Sequence, residues 1–156
     1  MTQIKFCIKI VSNVTKTKEE IGRREITIDT LKYTNHTKKE IIEYLKNVKN
    51  SISKNNFIVC RTQKNEKNKR FIEKYKCDSN KQKQMLLELN ENDFCYSVDN
   101  YNNPKERLYI FCREYELNEW GTLRKVEVYI KIAVKSDSFT VIISFHEPEK
   151  KIERLF

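Results

Sequence analysis

Between Lys125 and Val134 the chain alternates with strict period two. Val126, Val128, Ile130, Ile132 and Val134 share one side, and Lys125, Glu127, Tyr129, Lys131 and Ala133 share the other. Successive residues of a strand point to opposite faces, so this run fits a strand with one face laid on a core. Two more alternating runs flank it, Arg107–Tyr115 and Phe139–His146, with turn segments at Asn118–Gly121 and Lys135–Ser138 between them. The three read as an antiparallel meander. Alternation puts Leu108, Ile110 and Cys112, then Phe139, Val141, Ile143 and Phe145, on the core side.

Cover for that core face has to come from upstream. Thr37-Lys38-Lys39-Glu40 is a capping box, and the helix it opens carries Ile41, Ile42, Leu45 and Val48 as an apolar stripe. Asn65–Lys76 reads as a second helix with Phe71, Ile72 and Tyr75 inward. Ser79-x-x-Gln82 reads as the cap of a third, which carries Met85, Leu86 and Leu89. Phe57–Cys60 is a short apolar run, and Asn90–Asp99 is polar apart from Phe94. Ile4–Val11 and Arg24–Tyr33 alternate around the polar Ser12–Gly22 and read as a hairpin. The predicted class is α+β: N-terminal and central helices packed on one face of a C-terminal antiparallel sheet, with an extra N-terminal β-hairpin. At 156 residues the chain is expected to form one unit, a hairpin extension over 1–35 and a main domain over 36–156.

Composition narrows the function. Gly22 and Gly121 stand alone, which excludes a Gly-rich phosphate loop. No apolar run approaches the roughly 18 residues of a membrane span, and the N-terminus lacks a secretory apolar region, so a cytoplasmic protein with no membrane partner is expected. The cysteines at 7, 60, 77, 95 and 112 form no C-x-x-C pair and no zinc spacing. Neither metal nor cofactor is expected, and the odd count points to free thiols in a reducing compartment. Residues 1–83 hold 21 basic and 9 acidic side chains, against 10 and 13 in residues 84–156. That asymmetry implies an anionic partner, most simply nucleic acid, with Lys38, Lys39, Lys46 and Lys49 bordering its path. AT-rich codon usage also raises Lys and competes as the account of the total charge.

The face opposite the predicted core gathers Arg107, Tyr109, Arg113, Tyr129, Lys131, Ser144 and His146. Cations bind phosphate, aromatic rings stack on bases, and His exchanges protons near neutral pH. These are the parts of a metal-free ribonuclease, in which RNA supplies its own 2′-OH nucleophile. The plainer reading of the same residues is a solvated sheet surface.

Four segments occur in an order that resembles one family. They are Leu86-Leu87-Glu88-Leu89-Asn90-Glu91-Asn92-Asp93-Phe94, Leu108-Tyr109-Ile110-Phe111, Val128-Tyr129-Ile130-Lys131-Ile132 and Val141-Ile142-Ile143-Ser144-Phe145-His146-Glu147. Together they resemble the MqsR family of toxin–antitoxin mRNA interferases over about Thr37–Glu147. The resemblance implies a RelE-like fold, RNA cleavage without metal, and a cognate antitoxin. It carries the family's strand tyrosine onto Tyr129 and its terminal basic residue onto His146. The family's lysine just beyond the D-[FY] pair falls on Tyr96. The expectation is therefore a type II toxin, an endoribonuclease cleaving mRNA by 2′-OH attack. His146 is its acid or base, Tyr129 its orienting hydroxyl, and Lys131 and Arg113 its phosphate cations. Arg107, Tyr109 and Tyr96 are expected to hold RNA. The alternatives are a non-catalytic RNA- or protein-binding module on the same sheet, and a structural protein whose sheet face is an interface.

Overall fold

The helices begin where the sequence provides caps. In the computed structural model, which describes residues 31–135 and 139–156, helix α1 spans Lys38–Ser53. The Thr37 hydroxyl accepts the Glu40 amide, and the Glu40 carboxylate accepts the Thr37 amide. Helix α2 spans Glu66–Lys74 and helix α3 spans Ser79–Leu87. Asp78, not Ser79, caps α3: its carboxylate accepts the Lys81 amide at 2.8 Å, in keeping with the preference of helix N-termini for negative charge. The hairpin expected over residues 1–35 lies outside the described residues up to Thr30, as does most of the 135–138 turn.

The strands are β1 (Lys32–Tyr33), β2 (Phe57–Val59), β3 (Phe94–Asn100), β4 (Asn103–Glu119), β5 (Thr122–Lys135) and β6 (Phe139–His146). They form one sheet in the order β1-β3-β4-β5-β6-β2. The predicted meander is its centre, β4-β5-β6. The sheet is mixed rather than antiparallel, because β2 runs parallel to β6 along one edge. Sequence reading missed β3, whose exposed Asp99 and polar Ser97 and Asn100 hide its alternation. The expected class, α+β, holds.

Face assignment needs correction. In β5, Val126, Val128, Ile130 and Ile132 are buried against the helices as predicted. In β4 the faces are inverted: Phe111 pairs with Ile130 and Tyr115 with Val126, so the aromatic residues join the helix-side core. Leu108, Ile110 and Cys112 lie on the other side with Ala133 and Val141. This second face is a core too: Ile110, Cys112, Ala133 and Val141 are fully buried. The open polar surface predicted there is not what forms.

Between β4 and β5 the chain turns through Trp120 and Gly121, both at positive φ (53° and 88°). Such a two-residue turn matches the twist of the strands it joins, and Asn118 Oδ1 accepts the Gly121 amide at 2.7 Å. The described cysteines 77, 95 and 112 are free and buried. Cys60 is disulfide-bonded, which corrects the expectation of thiols throughout.

Candidate active site

The most informative irregularity is in β6. Lys131 of β5 pairs with Ser144, but the next residue, Ile132, pairs with Ile142, so Ile143 is an inserted residue. A bulge of this kind reverses the alternation beyond it. Ile142 therefore faces the helices, as does Phe145, while Ser144 and His146 turn to the second face beside Lys131 and Tyr129. Val141 lies on that second face as well, which corrects its predicted position.

One buried side chain pins the bulge. Asn68 of α2 is 1% exposed. Its Nδ2 donates to the carbonyls of Cys60 and Ile143, both at 2.9 Å, and its Oδ1 accepts the Phe145 amide at 2.8 Å. Three backbone groups that a regular ladder would have used are thus satisfied by one amide.

Beside this bulge a cleft of about 420 Å³ opens between Gln63–Arg70 and the end of β6. Ser144 and His146 line it, with Lys64, Lys67 and Arg70 on the opposite wall. His146 Nδ1 lies 2.7 Å from the Glu147 carbonyl. A carbonyl only accepts, so Nδ1 carries the proton, and the lone pair of the neutral ring is on Nε2. The Tyr129 ring stacks on the imidazole at 5.5 Å and 24°. Burial pushes the His146 pKa below its ordinary value, helped by the positive charges of Lys67 and Lys131 and opposed by the Glu147 hydrogen bond. Burial likewise lowers the pKa of Lys131. Burial thus favours the uncharged form of both side chains, which sit in neighbouring cross-strand pairs, Tyr129–His146 and Lys131–Ser144.

Lys67 is ion-paired to Glu149, and Arg70 to Glu66 at 2.8 Å. Both pairs are exposed, and such pairs are worth only about 0–1 kcal/mol, so a phosphate can displace the carboxylates at little cost.

Of the residues singled out from sequence, His146, Tyr129, Lys131 and Tyr96 come together. Tyr96, Ile110, Lys131 and Ser144 form one cross-strand row. Burial, with Tyr96 close by, raises the pKa of Tyr129 and holds its hydroxyl protonated. Arg113 lies on the opposite face, paired with Asp93 at 3.2 Å. Tyr109 is also there, stacked on Tyr44 at 3.8 Å. Arg107 pairs with Asp99 and covers the Tyr33 ring at 3.8 Å. Lys38, Lys39, Lys46 and Lys49 belong to α1 and do not line the cleft. The cations that do, Lys64, Lys67 and Arg70, went unremarked in the sequence. Their signal was the dense Lys/Arg content of a helix with a thin apolar face.

Tyr129 thus offers His146 the face of its ring. Tyr129→Ala, which opens the imidazole to water, is expected to move the His146 pKa back toward its ordinary value, while Tyr129→Phe, which keeps the ring, leaves it in place. NMR titration of the imidazole checks both.

No family model, curated protein or solved structure matches the chain.

Proposed function

We propose that this chain is a metal-independent endoribonuclease acting on single-stranded RNA, the mRNA-cleaving toxin of a toxin–antitoxin pair. The observation that carries the reading is the bulge at Ile143, which delivers His146, with Nε2 unprotonated, to a cleft walled by Lys64, Lys67 and Arg70. Nε2 takes the proton of the 2′-OH, whose oxygen attacks the adjacent phosphorus. Lys67 and Arg70 meet the charge of the phosphorane, and Lys64, on the cleft wall, protonates the departing 5′-oxygen. The products are a 2′,3′-cyclic phosphate and a 5′-OH.

Support for the toxin assignment comes from the resemblance to the MqsR family, with its RelE-like fold. The α+β order of helices followed by a central meander is compatible with that fold. A groove-filling antitoxin is the partner that goes with it. No described helix is long and apolar enough to cross a membrane.

Among the described residues no group of three or more His, Cys, Asp or Glu is placed to hold a metal ion. Because each proposed step uses only side chains of the cleft and the RNA's own 2′-OH, cleavage is expected to survive excess EDTA and to leave cyclic phosphate ends. End-group analysis of RNA incubated with protein and chelator checks this. Activity lost in EDTA and restored by Mg²⁺ overturns the mechanism, and intact RNA bound with high affinity favours the non-catalytic module.

A further inference from the structure

The cleft at His146 is one of three depressions that meet along a single stretch of chain. The largest, about 480 Å³, lies between β2 and the start of α3. Phe57, Ile58 and Val59 provide its apolar wall, and Asn55, Asn80 and Lys83 its polar rim. A smaller cleft of about 280 Å³ joins the two. It shares Arg61 and Thr62 with the β2–α3 groove, and Gln63 and Glu66 with the His146 cleft.

We propose that the β2–α3 groove is a nucleobase subsite, and that one RNA strand runs from it over the Arg61–Arg70 segment to His146. This rests on the ribonuclease reading for what happens at His146, but not for binding. Three features favour a nucleotide as the occupant. Charge is the first: the residues lining the three depressions include Arg61, Lys64, Lys67, Lys69, Arg70 and Lys83. Among the described residues one lining carboxylate stands against them, Glu66, paired with Arg70, and Glu149 pairs with Lys67 from outside the lining. Such a one-signed track follows a phosphate backbone.

Shape and polarity are the second. A nucleobase has apolar faces and a hydrogen-bonding edge, which match a groove walled by Phe57, Ile58 and Val59 and rimmed by amides. Third, Thr62 Oγ1 and Asn65 Nδ2 are buried without a hydrogen-bond partner. Both residues line the depressions. A rotation about χ1 turns either group toward a bound strand and gives it the partner it lacks in the free protein. Along β6, the groove beside Ile142 and the imidazole of His146 are four residues apart, roughly 13 Å. A strand of a few nucleotides spans that gap.

The test uses the full chain and a mixed-sequence single-stranded RNA dodecamer carrying 4-thiouridine. Irradiation of the complex should crosslink RNA to peptides covering 57–62 or 79–83, located by mass spectrometry. Asn80→Trp, which fills the groove, and Arg61→Glu, which reverses charge at the junction, should each weaken dodecamer binding roughly tenfold. Both positions are exposed, and circular dichroism confirms that the variants fold. Crosslinks confined to other peptides, or affinities within twofold of the parent in both variants, overturn the subsite. Crosslinks in the groove with the RNA left intact overturn the ribonuclease reading and leave the subsite standing. Cleavage without groove crosslinks does the reverse.

Discussion

His146→Ala is expected to lower RNA cleavage by about 10²–10⁴-fold, the usual range for loss of a positioned acid or base. RNA affinity should change little, because Lys64, Lys67 and Arg70 remain on the cleft wall. His146 is the last residue of β6 and makes its hydrogen bond to the neighbouring Glu147 carbonyl, so the sheet does not depend on its ring. The proposed role of His146 carries a pH signature. Burial lowers the His146 pKa from 6.5, so the ring is a free base at neutral pH. Cleavage should rise as pH is raised through that depressed pKa and level off by neutrality. The unfolded chain, with an ordinary His pKa, takes up its proton first. Stability contributed by the neutral ring is therefore lost as pH falls below about 6.5. Cleavage by the Ala variant within a few-fold of the parent, with an unchanged circular dichroism spectrum, excludes His146 as the base.

Asn68→Ala is expected to have the largest effect on stability of any single polar substitution near the site. The side chain serves two carbonyls and one amide in a buried position. Each buried group left unpaired costs about 1–3 kcal/mol, so a loss of about 3 kcal/mol or more is expected in urea unfolding. Asn68→Asp tests the geometry further. Its carboxylate still accepts the Phe145 amide, but a second oxygen then faces the Cys60 and Ile143 carbonyls, so it too should destabilise. A loss under about 1 kcal/mol in both variants means the bulge is held by something else. If the bulge relaxes in protein that is still folded, Ser144 and His146 move to the wrong face, and cleavage falls beyond what unfolding accounts for.

The parts of this structure that could be read in advance are those specified locally. Thr37 and Glu40 lie within one helical turn, and the valines and isoleucines of β5 alternate against charged neighbours, so each signal is complete within its own segment. Strand β4 could not be read in this way. Leu108, Ile110 and Cys112 alternate with Tyr109, Phe111 and Tyr115, and either set can form a core face. What decides is the partner strand: Phe111 and Tyr115 pair with Ile130 and Val126 and so join the helix side, and that register is not written in β4 itself. The position of His146 was correct for an incomplete reason: the misread first half of β6 is compensated by the bulge at Ile143. That bulge depends on Asn68, which is 77 residues from the Phe145 amide it accepts. No local pattern encodes a contact of that span. The grouping of Lys64, Lys67 and Arg70 with His146 was hidden for the same reason.

That span also orders the assembly of the molecule. Strands β4 and β5 are joined by two residues, so their pairing closes at low entropic cost and can form early. Strand β2 and helix α2 reach β6 only after about half the chain has been gathered in, so they dock late. What docks late is also first to open in native-state fluctuations. The cleft should therefore come apart as a unit while the hairpin persists, with the amide of Phe145 exchanging with solvent well before that of Ile130. A partner that binds only the docked form would hold the cleft assembled, and one that captures β2 or α2 in the open form would take it apart without touching His146.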